Sequence, residues 1–397
     1  MTDINVEPRI EHGKLTRGRA VEEAHRIGRD VAAVWAAEVD RDARFPSETV
    51  AELRSCGFLG ASVPEQWGGP GVELAELSQA VAALAEYCAS SAMILAMHWI
   101  QVSDVFRHGG PEMLNEVLPA VARGEILFAS AASEVGLNGN RGSSVCALEP
   151  TPAGNHVEKQ GTTVSYGEFA DGILVTARRS PDSPDNDVAL AVCLPGSFTV
   201  TPSGPWDTLG LRGTCSRPAL VVADVADHLV IPDWSSVLAR TSLPVSVVLL
   251  SAVWLGLAEA AAKKAHEYLR AQARREGSSG KQRPLGTLRL VELTVPLQQL
   301  RDCLAMGAID FERADADGEL ETMKFSARMN AVKLSATALA IDVVQRASQL
   351  CGMAGYANTS PFTLGRIIRD VTAAPLMISN DRVLDDASRL MIIRKEL

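Results

Sequence analysis

Two glycine-bearing stretches of this chain have the residue types and spacing to hold an anion. Near the C-terminus, 349–356 reads QLCGMAGY, with Gly352 and Gly355 following Gln349. Glycine lets a backbone approach a phosphate with no Cβ in the way. The competing reading of either glycine is a helix-ending turn. At 136–144 the chain reads GLNGNRGSS. A loop this rich in Gly, Asn and Ser can turn its N–H groups, that of Gly139 among them, toward an anion. A third stretch, GSSGKQ at 277–282, imitates a phosphate loop, but no strand precedes it and Gln282 stands where Ser or Thr is needed. It reads as a solvated basic loop. The seven cysteines (56, 88, 146, 193, 215, 303, 351) are scattered and form no CxxC pair. Neither a disulfide framework nor a metal site is expected.

Bulk composition narrows the field. With 397 residues the chain exceeds one hydrophobic core and suits two or three domains. Apolar content of 47% with 22% charged residues is that of an ordinary globular protein. A net charge of −10 argues against nucleic acid or an anionic membrane as partner. Residues 1–18 are polar and charged, a loose tail without a secretory pattern. The most apolar run, PVSVVLLSAVWLGLA at 244–258, falls short of the roughly 20 residues that span a bilayer and reads as a buried bundle helix. A reducing cytoplasm is the expected compartment.

The elements that must position these stretches follow from periodicity. From about 19 to 126 the pattern is helical, as in VEEAHRIGRDVAAVWAAEV and LAELSQAVAALAEYCASSAMILAMHWI, with PEQWGGPG at 64–71 a loop between helices. The texture changes near 127: ILFASAASEV, HVEKQGTTVSYG, GILVTARR, DVALAVCL, SFTVTPSG and PALVVADV are short, β-branched and punctuated, with hairpin-like spacing. Helices resume at 242–275, about 286–316 and about 321–353, with a last one starting near Asp381 as its N-cap. Pro296 predicts a kink. The expectation is a multi-domain α+β protein: an N-terminal α-helical domain (1–127), a middle β domain (128–234) and a C-terminal four-helix bundle (235–397).

In that order the chain resembles the acyl-CoA dehydrogenase superfamily over more than 300 residues. RFPSETVAELRSCGFLGASVPEQWGGPG (44–71), HGGPEMLNEVLPAVARGE (108–125), ASAASEVGLNGN (129–140), WDTLGLRGTCSRPALVVADV (206–225), QLCGMAGY and RIIRD each resemble a family segment. The resemblance implies bound FAD and an obligate homodimer or homotetramer with flavin sites shared between subunits. It implies flavin contacts from Ala131 and Ser133 on a first strand, and from Thr163 and Ser165 on a second. Thr163 replaces an aromatic residue of the family, which leaves the flavin face open or filled by Tyr166. Gln349, Gly352 and Gly355 match the turn that serves a neighbouring subunit's FAD, and Arg274 or Arg275 stands for an ADP-gripping arginine. Ser216 and Thr214 could meet cofactor or pantetheine. Met97, Trp99, Val245, Leu249 and Ile378 match the walls of an apolar substrate pocket.

The family's α-proton base does not carry over. One family position, about nine residues after the arginine-aspartate pair, holds Ile378; the other, about ten residues before Gly256, holds Ser246. Neither is a base. Three readings compete. The first is oxidation of a CoA- or carrier-bound acyl thioester at Cα–Cβ with a relocated base, for which Asp381, His98 and Glu168 are the candidates. Their plainer readings are a helix cap, a packed histidine and a solvated carboxylate. The second, an alternative to the first, is a flavin-dependent monooxygenase using reduced flavin and O2, which needs no such base; relatives of that kind often carry a histidine shortly after the arginine-aspartate pair, and TAAPLMIS (372–379) has none. The third is a non-catalytic flavin-binding paralogue.

Overall fold

Apolar residues at helical spacing build the first third of the chain. In α1 (Ala20–Ile27), Ala20, Ala24 and Ile27 form the buried stripe. A π-turn joins it to α2 (Ala33–Asp42), followed by α3 (Ser47–Ser55), α4 (Leu74–Ala85), α5 (Ala89–His108) and α6 (Pro111–Ala122). The long helical run at 74–100 is two helices, because Cys88 adopts an extended conformation and starts a new one. Helix α5 is buried on nearly every side, the pattern of a core helix. The computed structural model describes residues 15–137, 139–275 and 284–393. Most of the 1–18 tail and the GSSGKQ loop therefore lie outside the described residues.

Eight strands follow: β1 (Phe128–Ala131), β2 (Glu149–Thr151), β3 (Gly154–Val164), β4 (Gly172–Arg178), β5 (Val188–Cys193), β6 (Phe198–Pro202), β7 (Arg217–Val225) and β8 (Val230–Ile231). They form two four-stranded sheets, β1-β4-β5-β8 and β2-β3-β7-β6. Hairpin-like spacing misses two features. β1 pairs parallel with β4, Ala131 opposite Val175, and β3 pairs with the distant β7. All six residues of β5 are buried, so it lies between two layers, whereas β7 alternates and shows one face outward.

The helical end consists of α7 (Trp234–Val237), α8 (Leu243–Arg275), α9 (Pro284–Ala316), α10 (Met323–Cys351), α11 (Met353–Tyr356), α12 (Gly365–Val371) and α13 (Asn380–Ile393). Helices α8, α9 and α10 pack on one another, and α13 lies on α10. The fold is the expected one: helices, β sheets, then a helical bundle. The segment Trp234–Arg275 is long and apolar enough to cross a membrane, but its apolar stretch is buried inside this fold. At Gly256 an added Cβ would sit 2.3 Å from the Ala82 carbonyl oxygen, so glycine permits α8 to cross α4 closely. Helix α9 continues through Pro296. Helix α13 begins at Asn380, which moves Asp381 from the cap into the first turn.

Candidate functional site

Hydroxyls gather where β1 and β3 end. Ser133 Oγ donates to the Thr163 carbonyl oxygen at 3.0 Å and accepts from the Thr163 N–H at 3.2 Å. Two residues on, Ser165 Oγ lies 2.8 Å from Ser216 Oγ, which lies 2.8 Å from Thr214 Oγ1. Ala131 closes β1, fully buried beside them. Ser133, Thr163 and Ser165 keep partial exposure, so this polar edge is open to a flavin ring. Tyr166 does not fill the gap left by Thr163. It turns inward at φ 40°, fully buried, and its hydroxyl donates to the Phe128 carbonyl oxygen at 2.8 Å.

A buried ion pair fixes the loop that follows β1. Glu134 accepts from Ser144 Oγ at 2.7 Å, from the N–H groups of Val145 and Cys146 at 3.0 and 2.8 Å, and from Lys159 Nζ at 2.9 Å. Burial opposes its charge, but Lys159 and these donors hold its carboxyl below the usual range. Between Glu134 and Ser144 the backbone turns at Gly136 and Gly139, both at positive φ. A Cβ at Gly139 would stand 3.4 Å from the Arg382 guanidinium. Arg382 is half-buried with no carboxylate partner among the described residues, a free cation against the loop. The sequence reading missed it, because 241 residues separate it from Arg141 in that loop and only the packing of α13 brings it there.

The three candidate bases are not brought together. His98 is fully buried; its Nδ1 accepts from the Phe128 N–H at 3.0 Å and its Nε2 faces the Leu59 carbonyl oxygen at 2.9 Å. Both ring nitrogens are used, and burial lowers its pKa to about 4. Glu168 pairs with Arg217 at 3.1 Å. Asp381 is exposed. Trp99 is tied by its indole N–H to the Phe58 carbonyl oxygen at 2.8 Å, while Met97, on another face of α5, is half-buried. Val245 and Leu249 are buried one turn apart on α8.

The segment carrying Ile378 is anchored at both ends. Arg369 pairs with Asp40, and Asp370 accepts from the Leu211 N–H at 2.7 Å. At the other end, buried Lys333 donates to the Ala374 carbonyl oxygen at 3.0 Å and to Asn380 Oδ1. Between these anchors Ile378 is held at φ 50°, an outlier for a β-branched residue. Tyr166, Leu211 and Cys215 share this left-handed conformation. Strain of this kind persists only where surrounding structure over-determines it; these four lie in the segments just described, while a fifth, Ala43, ends α2.

The second glycine turn stands apart. Gly352 ends α10 at φ 54°, and Gln349, Gly352, Met353 and Tyr356 are exposed, while Leu350, Cys351 and Gly355 are buried. Arg289 Nη1 reaches the Gln349 carbonyl oxygen at 3.5 Å, and Arg274 is exposed at the end of α8. Sixteen residues of helix separate Lys333 from Gln349, about 24 Å of rise.

Fold and site together define a flavin-dependent oxidoreductase. Residues 18–125 match the acyl-CoA dehydrogenase N-terminal domain and residues 248–381 an acyl-CoA dehydrogenase C-terminal domain, together more than half the chain. The chain belongs to the acyl-CoA dehydrogenase family. The amino sugar nitrososynthase DnmZ of Streptomyces peucetius is 27% identical over 358 residues, covering 85% of this chain and 84% of that one. The short-chain-specific acyl-CoA dehydrogenase of Clostridium acetobutylicum is 24% identical over 344 residues, covering 84% and 86%. The FMN-bound structure of TdsC, the dibenzothiophene monooxygenase of Paenibacillus sp. A11-2, superposes with a TM-score of 0.79 at 20% identity, covering 94% of this chain and 97% of that one.

Proposed function

We propose that this protein is a flavin-dependent monooxygenase built on the acyl-CoA dehydrogenase fold. One observation carries the reading: no carboxylate or free imidazole stands at either family position for an α-proton base. Ile378 and Ser246 occupy those positions, His98 has both nitrogens bonded, Glu168 is paired and Asp381 is exposed. Acyl-thioester dehydrogenation needs a base at the α-carbon; oxygenation does not. The nitrososynthase among the relatives supports the same choice, and the similarly distant acyl-CoA dehydrogenase the other.

A flavin bound here would, when reduced, supply the two electrons with which O2 gives one oxygen atom to the substrate and the other to water. The chain's own residues bind and enclose. Ser133, Thr163 and Ser165 would hold the ring edge. The N–H groups around Gly139 and the Arg382 guanidinium would hold a pyrophosphate, which supports FAD over FMN. Met97, Val245, Leu249 and Ile378 would form an apolar wall that excludes water. The exposed Gln349–Gly355 turn supports a homodimer or homotetramer in which a second copy completes each flavin site. Seven unpaired cysteines suit a reducing cytoplasm.

Anaerobic titration tests the reading. Flavin-loaded protein should stay oxidised when butyryl-CoA is added. With NADH, a flavin reductase and ¹⁸O2 it should place one labelled oxygen atom in a product from an amino sugar, indole or dibenzothiophene. Bleaching of the flavin by butyryl-CoA would overturn it in favour of dehydrogenation.

A further inference from the structure

A trough of about 730 Å³ opens on the helical bundle between α9, α10 and α13. The packing of these helices creates it. The turn at 317–322 folds α9 back onto α10, and α13 rests chiefly on α10. The space left beside α13 is floored by Phe325 and Leu334 of α10 and walled by Leu384 and Leu390 of α13. Its volume is that of an ordinary small-molecule site, roughly 300–1,000 Å³. Leu384, at its edge, is a large apolar side chain left 53% exposed. Arg382, which faces Gly139, lies about 200° around α13 from Leu384. The trough and the flavin loop therefore meet different faces of that helix.

The polar groups of the trough are unspent. Asn330 lines it at only 7% exposure, and its side-chain amide has no hydrogen-bond partner among the described residues. A buried amide with an unused donor and an unused acceptor is costly unless something polar meets it. Lys333, three residues on, is no such partner, because it is spent on Ala374 and Asn380. Arg313, in the last turn of α9, and Lys324, in the first turn of α10, line the same trough. Neither has a carboxylate partner among the described residues. Asp310 does not neutralise them, since it pairs with Arg328. Glu319 is the other carboxylate of the lining, so two unpaired cations stand against one unpaired anion.

We propose that this trough binds an apolar carboxylate that carries an amide, as an N-acylated amino acid does. The carboxylate would meet Arg313 and Lys324, where the unmatched charge is positive. The amide would give one hydrogen bond to the Asn330 side chain and take one from it, each group having one donor side and one acceptor side. The alkyl chain would cover Phe325, Leu334 and Leu384. A neutral alcohol leaves the two cations unmatched, and a plain fatty carboxylate leaves Asn330 unmatched. The inference stands apart from the reaction proposed for the flavin.

Calorimetric titration of the flavin-loaded protein tests it with three probes: N-octanoylglycine, its methyl ester, and undecanoate, which has the same length without the amide. Wild type should bind N-octanoylglycine about tenfold or more tightly than the ester, with the flavin absorbance unperturbed. Asn330→Leu should weaken N-octanoylglycine about tenfold and leave undecanoate within about twofold of wild type. Arg313→Glu combined with Lys324→Glu, at two exposed positions, should weaken both carboxylates about tenfold or more. If Asn330→Leu does not fold, this charge-reversed variant decides alone. Absence of carboxylate binding to wild type at millimolar concentration overturns the site. So does equal binding of acid and ester, a perturbed flavin spectrum, or unchanged binding in folded variants. If a second copy of the chain fills the trough instead, N-octanoylglycine does not bind and Leu384→Asp lowers the mass seen in sedimentation velocity; that result overturns the proposal as well.

Discussion

His98 and Asp104 stand less than two turns apart on α5, both fully buried, and burial treats them differently. The histidine is held by two backbone partners, whereas the aspartate's carboxyl is pushed up by burial, with Arg141 and Ser242 opposing that shift. For His98 the folded pKa of about 4 lies below the unfolded value of 6.5. The unfolded chain therefore binds the extra proton as pH falls from 6.5 to about 4, and stability present above 6.5 is lost through that window at about 1.4 kcal/mol per pH unit. Denaturant melts should show this slope in wild type and a shallower one in His98→Gln. Arg382 belongs to the same scale. Its guanidinium lies by Gly139 without a carboxylate partner, the arrangement that would suit a pyrophosphate. Arg382→Ala should weaken FAD binding about tenfold, roughly the worth of one charge-assisted hydrogen bond, and change FMN binding little. Fluorescence titration of the two flavins checks it. Of these residues only His98 was visible in the sequence, as a histidine on an apolar face. Asp104 and Arg382 look like ordinary helix-surface charges until their neighbours are known.

Elements carry the next layer of argument. The loop between Glu134 and Ser144 keeps its shape because one carboxylate collects four donors. In Glu134→Gln the fully buried Lys159 would lose its counter-charge, at a cost of about 3–5 kcal/mol. Urea unfolding should report that loss, and the variant should retain less flavin. Combining it with Lys159→Met should recover part of the stability, since the buried charge is then removed with its partner. The Arg369–Asn380 segment is fixed differently, by Asp40 at one end and Lys333 at the other, with strained Ile378 between. Ile378→Glu would put a carboxylate where dehydrogenases of this fold keep theirs, in a backbone already set by these anchors. Slow anaerobic bleaching of the flavin by butyryl-CoA is the expected gain; wild type should show none. Element types were largely legible: all six strand-like strings became strands, and the three long helices fall within about two residues of expectation. The two strands that escaped, Glu149–Thr151 and Val230–Ile231, are too short to show a period.

On the scale of the whole molecule the exposed end of α10 is informative. Met353 and Tyr356, 75% and 74% exposed, flank the Gly352 turn. They lie where the proposed second copy would pack. Tyr356→Asp should shift the protein toward monomer in sedimentation velocity and lower its flavin content in the same fractions. The sequence by itself determined the order of helices, sheets and bundle, the glycine turns, and the absence of a carboxylate at 378 and 246. These are matters of residue type and period, which are local. Tertiary structure alone decided that His98 is spent on backbone, that Tyr166 turns into the core, that Arg382 reaches Gly139, and that Asp104 is buried beside Ser242 and Arg141. Each depends on which distant groups share a small volume, and no local pattern records that. A carboxylate or an imidazole becomes reactive or inert according to the water and the partners the fold leaves it.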